Sequence, residues 1–471
     1  MVKRNTITAA VIIAAVFLCV RAGAQEISLT GVKNVSDINE VKVLLELSGA
    51  AASPKIFTLN DPARIVIDFK NIGVWQVPYE EAVSDDLLKH IRTGRPEPDT
   101  VRVVVELEYL APYKAAPSED GLSLLISMPR KIAPEKQTEK FPGGISYKRV
   151  REMKKWGPLT YHVMDVNLSD PKISLTVAAG EDRIGAREAL SSLAERKGAS
   201  AAVNGGYFQM EDGKPIDFLV IGGKALTLPE RFRGFFGITK AKKPVFLQPS
   251  VEMTLRVNSG RPWYVHRLNL APKEGQVAVF TPEFGATTGT AAARVEVTVV
   301  GGVVTSVGGG NSAIPADGFV VSGDSRNLLF ETLKAGDKVA KSLTSYPDIS
   351  DVMDGVTAGP LLIRGGVVQK SLIEDFTVTS GIVAKRNPRT AIGRVKNNHL
   401  LFVIVEGRSQ GSAGASIAEL AALMKSLGCE DAINLDGGGS SEMIIGGKIM
   451  NELSDGKERP LANAFMVNIN K

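Results

Sequence analysis

Residues 432–443 read AINLDGGGSSEM, an apolar run that ends on a carboxylate and passes at once into three glycines and two serines. A carboxyl group in that setting can take up or release a proton. The glycines behind it adopt backbone conformations closed to other residues and let a ligand approach the N–H groups. Asp436 is therefore the first candidate for chemistry. Three other stretches share its form. LLFVIV (400–405) runs into Glu406-Gly407-Arg408, AAVNGGYF (201–208) sets Asn204 against Gly205 and Gly206, and DGVTAGP (354–360) is a fourth glycine-bearing loop. Residues 385–391, KRNPRTA, add positive charge. Arginines beside a glycine-rich wall suit an anionic group such as phosphate, through paired hydrogen bonds.

Other chemistries find less support. The histidines at 90, 162, 266 and 399 are scattered and lack metal-ligand spacing. His266, in WYVHRLN ahead of FTPEFGATTGT, is the one singled out for a site role, while Trp263 and Tyr264 beside it read as core. No metal site and no cofactor are expected, although the residues leave open a divalent cation on carboxylates near Asp436. Cys429 reads as a small buried residue. GGGSSE lacks the G-x-S-x-G spacing of a nucleophile elbow, which argues against Ser440 as a nucleophile.

These residues need elements that bring them together. LLFVIV reads as a strand buried on both faces. Ser416 and Glu419 form a capping box, and Ile417, Leu420, Ala421, Met424 and Leu427 follow helical spacing up to Gly428. DAINL (431–435) reads as the next strand. In this strand–helix–strand unit with parallel strands, Glu406 and Asp436 would share one edge of the sheet, where open α/β sheets bind ligands. REALSSLAERKG (187–198) reads as a helix leading into the strand before Asn204, and Gly365-Gly366 as a hairpin turn. The expected fold is mixed, α+β or α/β, with a small β-rich domain ahead of a larger mixed-sheet domain.

The chain of 471 residues is long enough for two or three domains, and its 44% hydrophobic and 23% charged composition is that of a globular protein. Its formal charge of +5 is modest, and no basic stripe with interleaved aromatics appears, which argues against nucleic acid as a partner. Lys3 and Arg4, the apolar run 9–20 and Ala22-Gly23-Ala24 form a signal peptide over 1–24, so export to the periplasm or cell exterior is expected, with no transmembrane segment after cleavage. Residues 26–128 hold four strand-like runs, at 41–49, 64–71, 100–108 and 122–128. PRKIAPEKQTEKFPGGI (129–145) has the composition of a linker. The remainder, 146–471, reads as one large domain.

Two resemblances follow from these motifs. VKVLLELSG, FTLNDPARIVIDFKN, IRTGRPEPDTVRVVVEL and GLSLLISM, in that order, resemble the AMIN domain, which implies an envelope-targeting module that binds peptidoglycan. VNGGYF (203–208), TAGPLLIRGG (357–366), RNPRTAIG (386–393), FVIVEGRS (402–409) and INLDGGGSSEM (433–443) resemble the phosphodiester glycosidase family across about 320 residues. Two positions depart from the family pattern: Asp217 stands where a small residue is usual, and Ala358 where a further glycine is common.

The family resemblance implies hydrolysis of a sugar-1-phosphodiester at the glycosidic C–O bond, with a glycan or sugar phosphate as substrate. Glycosidic cleavage normally uses two carboxyl groups, for which Glu406 and Asp436 are the candidates. Arg389, with Arg386, would hold the phosphate. Asn204, Gly205, Gly206, Thr390, Arg408, Gly437, Gly438, Gly439, Ser440 and Ser441 complete the expected substrate- and phosphate-binding set. A non-catalytic glycan-binding or envelope assembly protein, and a phosphodiesterase cutting P–O, are the competing readings.

Overall fold

The computed structural model describes residues 27–50, 53–72, 74–75, 79–372 and 384–470. The expected signal peptide, with Cys19, lies outside the described residues. The chain divides into two compact units, the boundary falling at Ser127–Met128 apart from two short segments, Asn60–Arg64 and Leu107–Tyr113, that group with the second.

The first unit contains two five-stranded sheets. Its strands Glu40–Leu47, Ala63–Lys70, Thr100–Leu107 and Ser123–Pro129 coincide with the four apolar runs. Glu40–Leu47 alternates strictly between buried and half-buried positions, as its period-two pattern requires. Asp68 is buried and takes two hydrogen bonds from Arg102, at 2.7 and 2.8 Å.

The second unit is built on an eight-stranded sheet. Its strands are β1 (Glu135–Lys140), β2 (Ser146–Lys154), β3 (Gly157–Asn167), β4 (Leu361–Arg364), β5 (Val367–Val368), β6 (Arg389–Val395), β7 (His399–Val405) and β8 (Asp431–Asn434). They are hydrogen-bonded in the order β1-β2-β3-β7-β6-β8-β4-β5. Every neighbouring pair is antiparallel. The expected mixed α/β character is thus corrected: 49% of the described residues lie in strands and 8% in helices. The segment expected to be a linker contains β1, a wholly exposed strand hydrogen-bonded along β2.

Packing explains the continuous apolar run in β7. Leu401, Val403 and Val405 face a core that includes Ile417, Leu420 and Met424 of the helix Ile417–Ser426. Leu400, Phe402 and Ile404 face the opposite way, toward a five-stranded sheet of Ile173–Ala179, Asn463–Ile469, Ala201–Asn204, Met443–Ile445 and Lys448–Ile449. A strand covered on both faces has no polar side. Three further sheets occupy the chain between Leu219 and Thr357, and one part of that region has its own core of Leu255, Val279, Val297 and Phe330. Trp263 packs against this core, whereas Tyr264 is 63% exposed, contrary to its reading as core.

Candidate active site

β7 and β8 are each antiparallel to β6, which lies between them, so they run in the same direction. The helix Ile417–Ser426 carries the chain across, opened by the reciprocal Ser416–Glu419 capping box. The ends of β7 and β8 and the start of β6 therefore meet at one sheet edge. Glu406 and Asp436 share that edge as the sequence suggested, joined by a crossover spanning an intervening antiparallel strand, and Arg389 lies there with them.

At that edge lies a cavity of about 420 Å³. Among the described residues, Asp436 is the one carboxylate lining it, with Lys385, Arg389, Arg408 and Arg459 as cations and Gly437–Gly439 as backbone wall. Tyr207, Asn387 and Asn434 complete its polar surface. Asp436 is half-buried, and its Oδ1 accepts the Gly437 N–H at 2.9 Å. Burial raises its pKa to about 6 from the ordinary 3.8, against the lowering effects of the Ser440 hydroxyl, the Gly437 amide and the Arg459 charge. A carboxyl group with that value changes protonation near neutral pH, as acid–base work requires.

The cations are fixed by backbone and by short polar contacts. Arg389 is buried and donates from Nε to Ala415 O and from Nη2 to Lys385 O, both at 2.9 Å. Arg408 donates to Asn387 Oδ1 at 2.9 Å. Its backbone is left-handed at φ 60°, a conformation unfavourable for a residue with a Cβ. Its guanidinium lies against Gly438, where a Cβ would sit 3.4 Å from Nη2. Arg459 is paired with Asp455 at 2.7 Å.

Several expected site residues form the scaffold below the cavity instead of its wall. Asn204 is fully buried and donates to Asp436 O at 2.7 Å. Thr390 donates to Asn204 Oδ1 at 2.8 Å and lies 3.2 Å from Ser441 Oγ. Strand alternation accounts for this, because consecutive residues on β6 send Arg389 and Thr390 to opposite faces. Gly205 and Gly206 provide close approach of backbones: a Cβ on Gly205 would lie 2.1 Å from Asn463 Oδ1, and one on Gly206 2.4 Å from Thr357 O. Arg386 is turned away and held by Glu419 at 3.0 Å. Ser440 is fully buried.

Glu406 also lies away from the cavity. It is buried, it is not among the residues lining the cavity, and its Oε1 accepts from His162 Nε2 at 2.7 Å and from the Glu452 N–H at 2.8 Å. Burial alone would raise its pKa, but these two hydrogen bonds and the His162 charge interaction outweigh it and hold the carboxyl below the usual range. The two candidate carboxyl groups thus do not line one cavity.

His162, not His266, is the histidine beside the sheet edge. His266 accepts a hydrogen bond from the Val277 N–H at 3.1 Å in the region of the separate core. Asp217, the departure from the family pattern, is buried with its Oδ2 3.3 Å from Arg233 Nε, and Arg233 lies 5.4 Å from the Tyr207 ring centroid. Among the described residues, no group of three or more His, Cys, Asp or Glu side chains is placed to hold a metal ion. No helix among them is long and apolar enough to cross a membrane.

Tyr207, Asn387 and Asn434 sit inside motifs already singled out, so their neighbours carried the signal. Arg459, in SDGKERPL, had none. Glu442, just past the glycine run, was also missed. Burial and the neighbouring Glu458 push its pKa well above the usual carboxylate range.

Comparison with known proteins gives two family matches: residues 293–468 match the phosphodiester glycosidase family, and residues 32–126 match the AMIN domain. The chain is 39% identical over 82 residues to YomE, an SPbeta prophage-derived uncharacterized protein of Bacillus subtilis (strain 168). That match spans 17% of this chain and 13% of the relative. A crystal structure of a hypothetical protein from Synechocystis has the same fold, with a TM-score of 0.67 at 20% identity, over 94% of this chain and 81% of that one. The catalytic domain of zebrafish N-acetylglucosamine-1-phosphodiester alpha-N-acetylglucosaminidase superposes with a TM-score of 0.40 at 16% identity, over 72% of this chain and 89% of that one.

Proposed function

We propose, for a chain that belongs over residues 293–468 to the phosphodiester glycosidase family and carries an AMIN domain over 32–126, that it hydrolyses the glycosidic C–O bond of a sugar-1-phosphodiester. The substrate class is a GlcNAc-1-phosphodiester or a close relative, in cell-envelope or exopolysaccharide material. The catalytic region is assigned to residues 146–471. The AMIN domain would hold the exported protein to peptidoglycan.

The observation that carries this reading is a carboxyl group of pKa about 6 in a cavity whose other charged lining, among the described residues, is four cations. In the proposed step, water attacks the anomeric carbon and Asp436 takes its proton. The C–O bond breaks, and its electron pair leaves on the phosphate oxygen. Arg389, Arg408 and Arg459 offset the charge that builds on the departing phosphomonoester. A phosphate leaving group is already anionic and needs little help from an acid, which accounts for chemistry with one carboxyl group where most glycosidases use two.

One carboxylate against four cations, among the described residues, also favours a second reading, a glycan- or anion-binding module without turnover. The test is incubation of the full chain with a GlcNAc-1-phosphodiester, in wild-type and Asp436→Asn forms. Free sugar plus phosphomonoester from the wild type alone supports the enzyme. Binding without release across several sugar diesters favours the module.

A further inference from the structure

We propose that Glu406 is a positioning residue: by holding the backbone of Glu452 it fixes the root of the 450–460 loop and so sets Arg459 in the cavity. The inference rests on reading that cavity as an anion site, and it gives a role to a buried polar chain that the proposed chemistry does not use.

The root of the loop is held at three consecutive residues. Glu406 Oε1 accepts the Glu452 N–H at 2.8 Å. Asn451 donates to Ser441 O at 3.0 Å and accepts the Met443 N–H at 2.9 Å. Tyr147 Oη lies 3.3 Å from Met450 O. Behind these contacts, the Tyr147 hydroxyl is 2.7 Å from His162 Nδ1, and His162 Nε2 is 2.7 Å from Glu406 Oε1. The His162 ring thus joins the Tyr147 hydroxyl to the Glu406 carboxylate. Glu406 is thereby aimed at the loop and away from the cavity.

Past the root, the Asp455–Arg459 ion pair packs onto the glycine turn. A Cβ on Gly439 would lie 2.0 Å from Asp455 Oδ2 and 2.1 Å from Arg459 Nη2. The far end is pinned by Glu458, whose carboxylate accepts from Ser191 N at 2.9 Å and Ser191 Oγ at 2.6 Å. Arg459 thus enters the cavity on a loop whose approach is fixed at 450–452. Freeing that root lets the guanidinium move out of register with Arg389 and Arg408.

A double-mutant cycle on the full chain tests this, with inorganic phosphate as the probe and calorimetry as the readout. Arg459→Ala is expected to weaken phosphate binding roughly tenfold, the loss typical of one charge-assisted hydrogen bond. Glu406→Ala should match it, and the double variant should be no weaker than Arg459→Ala alone. Glu406→Gln keeps an oxygen that accepts both hydrogen bonds and should stay within a few-fold of wild type. Hydrogen exchange at 450–460 should quicken in Glu406→Ala and not in Glu406→Gln. If Glu406→Ala does not fold, Tyr147→Phe should give the same changes in smaller measure.

Losses that multiply in the double variant would overturn the proposal. So would unchanged exchange in the loop, or a Glu406→Gln protein that binds phosphate normally but has lost turnover. If the wild type hydrolyses no sugar diester, the proposed function falls, while the phosphate and exchange readouts still decide the role of Glu406.

Discussion

Replacing Asp436 by asparagine is predicted to stabilise the protein at neutral pH while removing its turnover. Burial raises this carboxyl from the ordinary 3.8 to about 6. Well below pH 3.8 the group is neutral in the folded and unfolded chains, and it costs nothing. As pH rises through 3.8 toward 6, the unfolded chain ionises first, and folding loses stability until the folded carboxyl ionises as well. A shift of about two units corresponds to ~3 kcal/mol at pH 8. Asp436 is half-buried, and solvent reaching the side chain reduces the expected effect to ~1–2 kcal/mol. Asparagine keeps the oxygen that accepts the Gly437 N–H and carries no charge to desolvate. Thermal unfolding of the full chain at pH 4 and pH 8 reads this directly. The variant should be only slightly the more stable at pH 4, and clearly the more stable at pH 8. A variant less stable at pH 8, or a gap of equal size at both pH values, would refute the desolvation argument. A stabilising substitution at this position is the sign of a site where function is kept at a cost to the fold.

Further outcomes follow from the same geometry. For hydrolysis of a sugar diester, kcat/KM should rise with pH through about 6 as Asp436 becomes the base, and a profile falling through that pH would reverse its role. Arg389→Lys keeps the charge but loses the fork that reaches both Ala415 O and Lys385 O; phosphate affinity should drop roughly tenfold by calorimetry. Gly439→Ala must displace the Asp455–Arg459 pair, so it should weaken phosphate binding by calorimetry, and unchanged binding would contradict the seat of Arg459 on that glycine. Cys429 is buried and its thiol is pushed up to about 12, so a thiol reagent should label it only after unfolding; rapid labelling of the native protein would contradict its placement.

Local patterns in the sequence carried much of the fold. The run 400–405 reads as a doubly covered strand because β7 is packed on both faces. The capping box at Ser416 and Glu419 and the left-handed Gly428 bound the following helix as expected. Gly365 and Gly366 both have positive φ in the β4–β5 turn. Strand order was not legible. A strand–helix–strand pattern suggests parallel neighbours, yet here β6 comes from earlier in the chain and separates β7 from β8.

The candidate site shows a similar division. Asp436 was readable because a glycine run exposes it, and Arg389 and Arg408 because their motifs cluster with it. Glu406 looked equivalent, but its surroundings are set by His162 and Glu452, each distant in sequence. Arg459 reaches the cavity through a loop with no motif of its own, and its seat on Gly439 exists only in the folded chain.

The most direct test of the central claim is hydrolysis of a GlcNAc-1-phosphodiester in water enriched in oxygen-18, with the products weighed by mass spectrometry. Cleavage at the glycosidic C–O bond predicts the heavy oxygen in the free sugar and none in the phosphomonoester, with no release by Asp436→Asn. Heavy oxygen in the phosphate would instead mean attack at phosphorus, and the glycosidase account would be wrong.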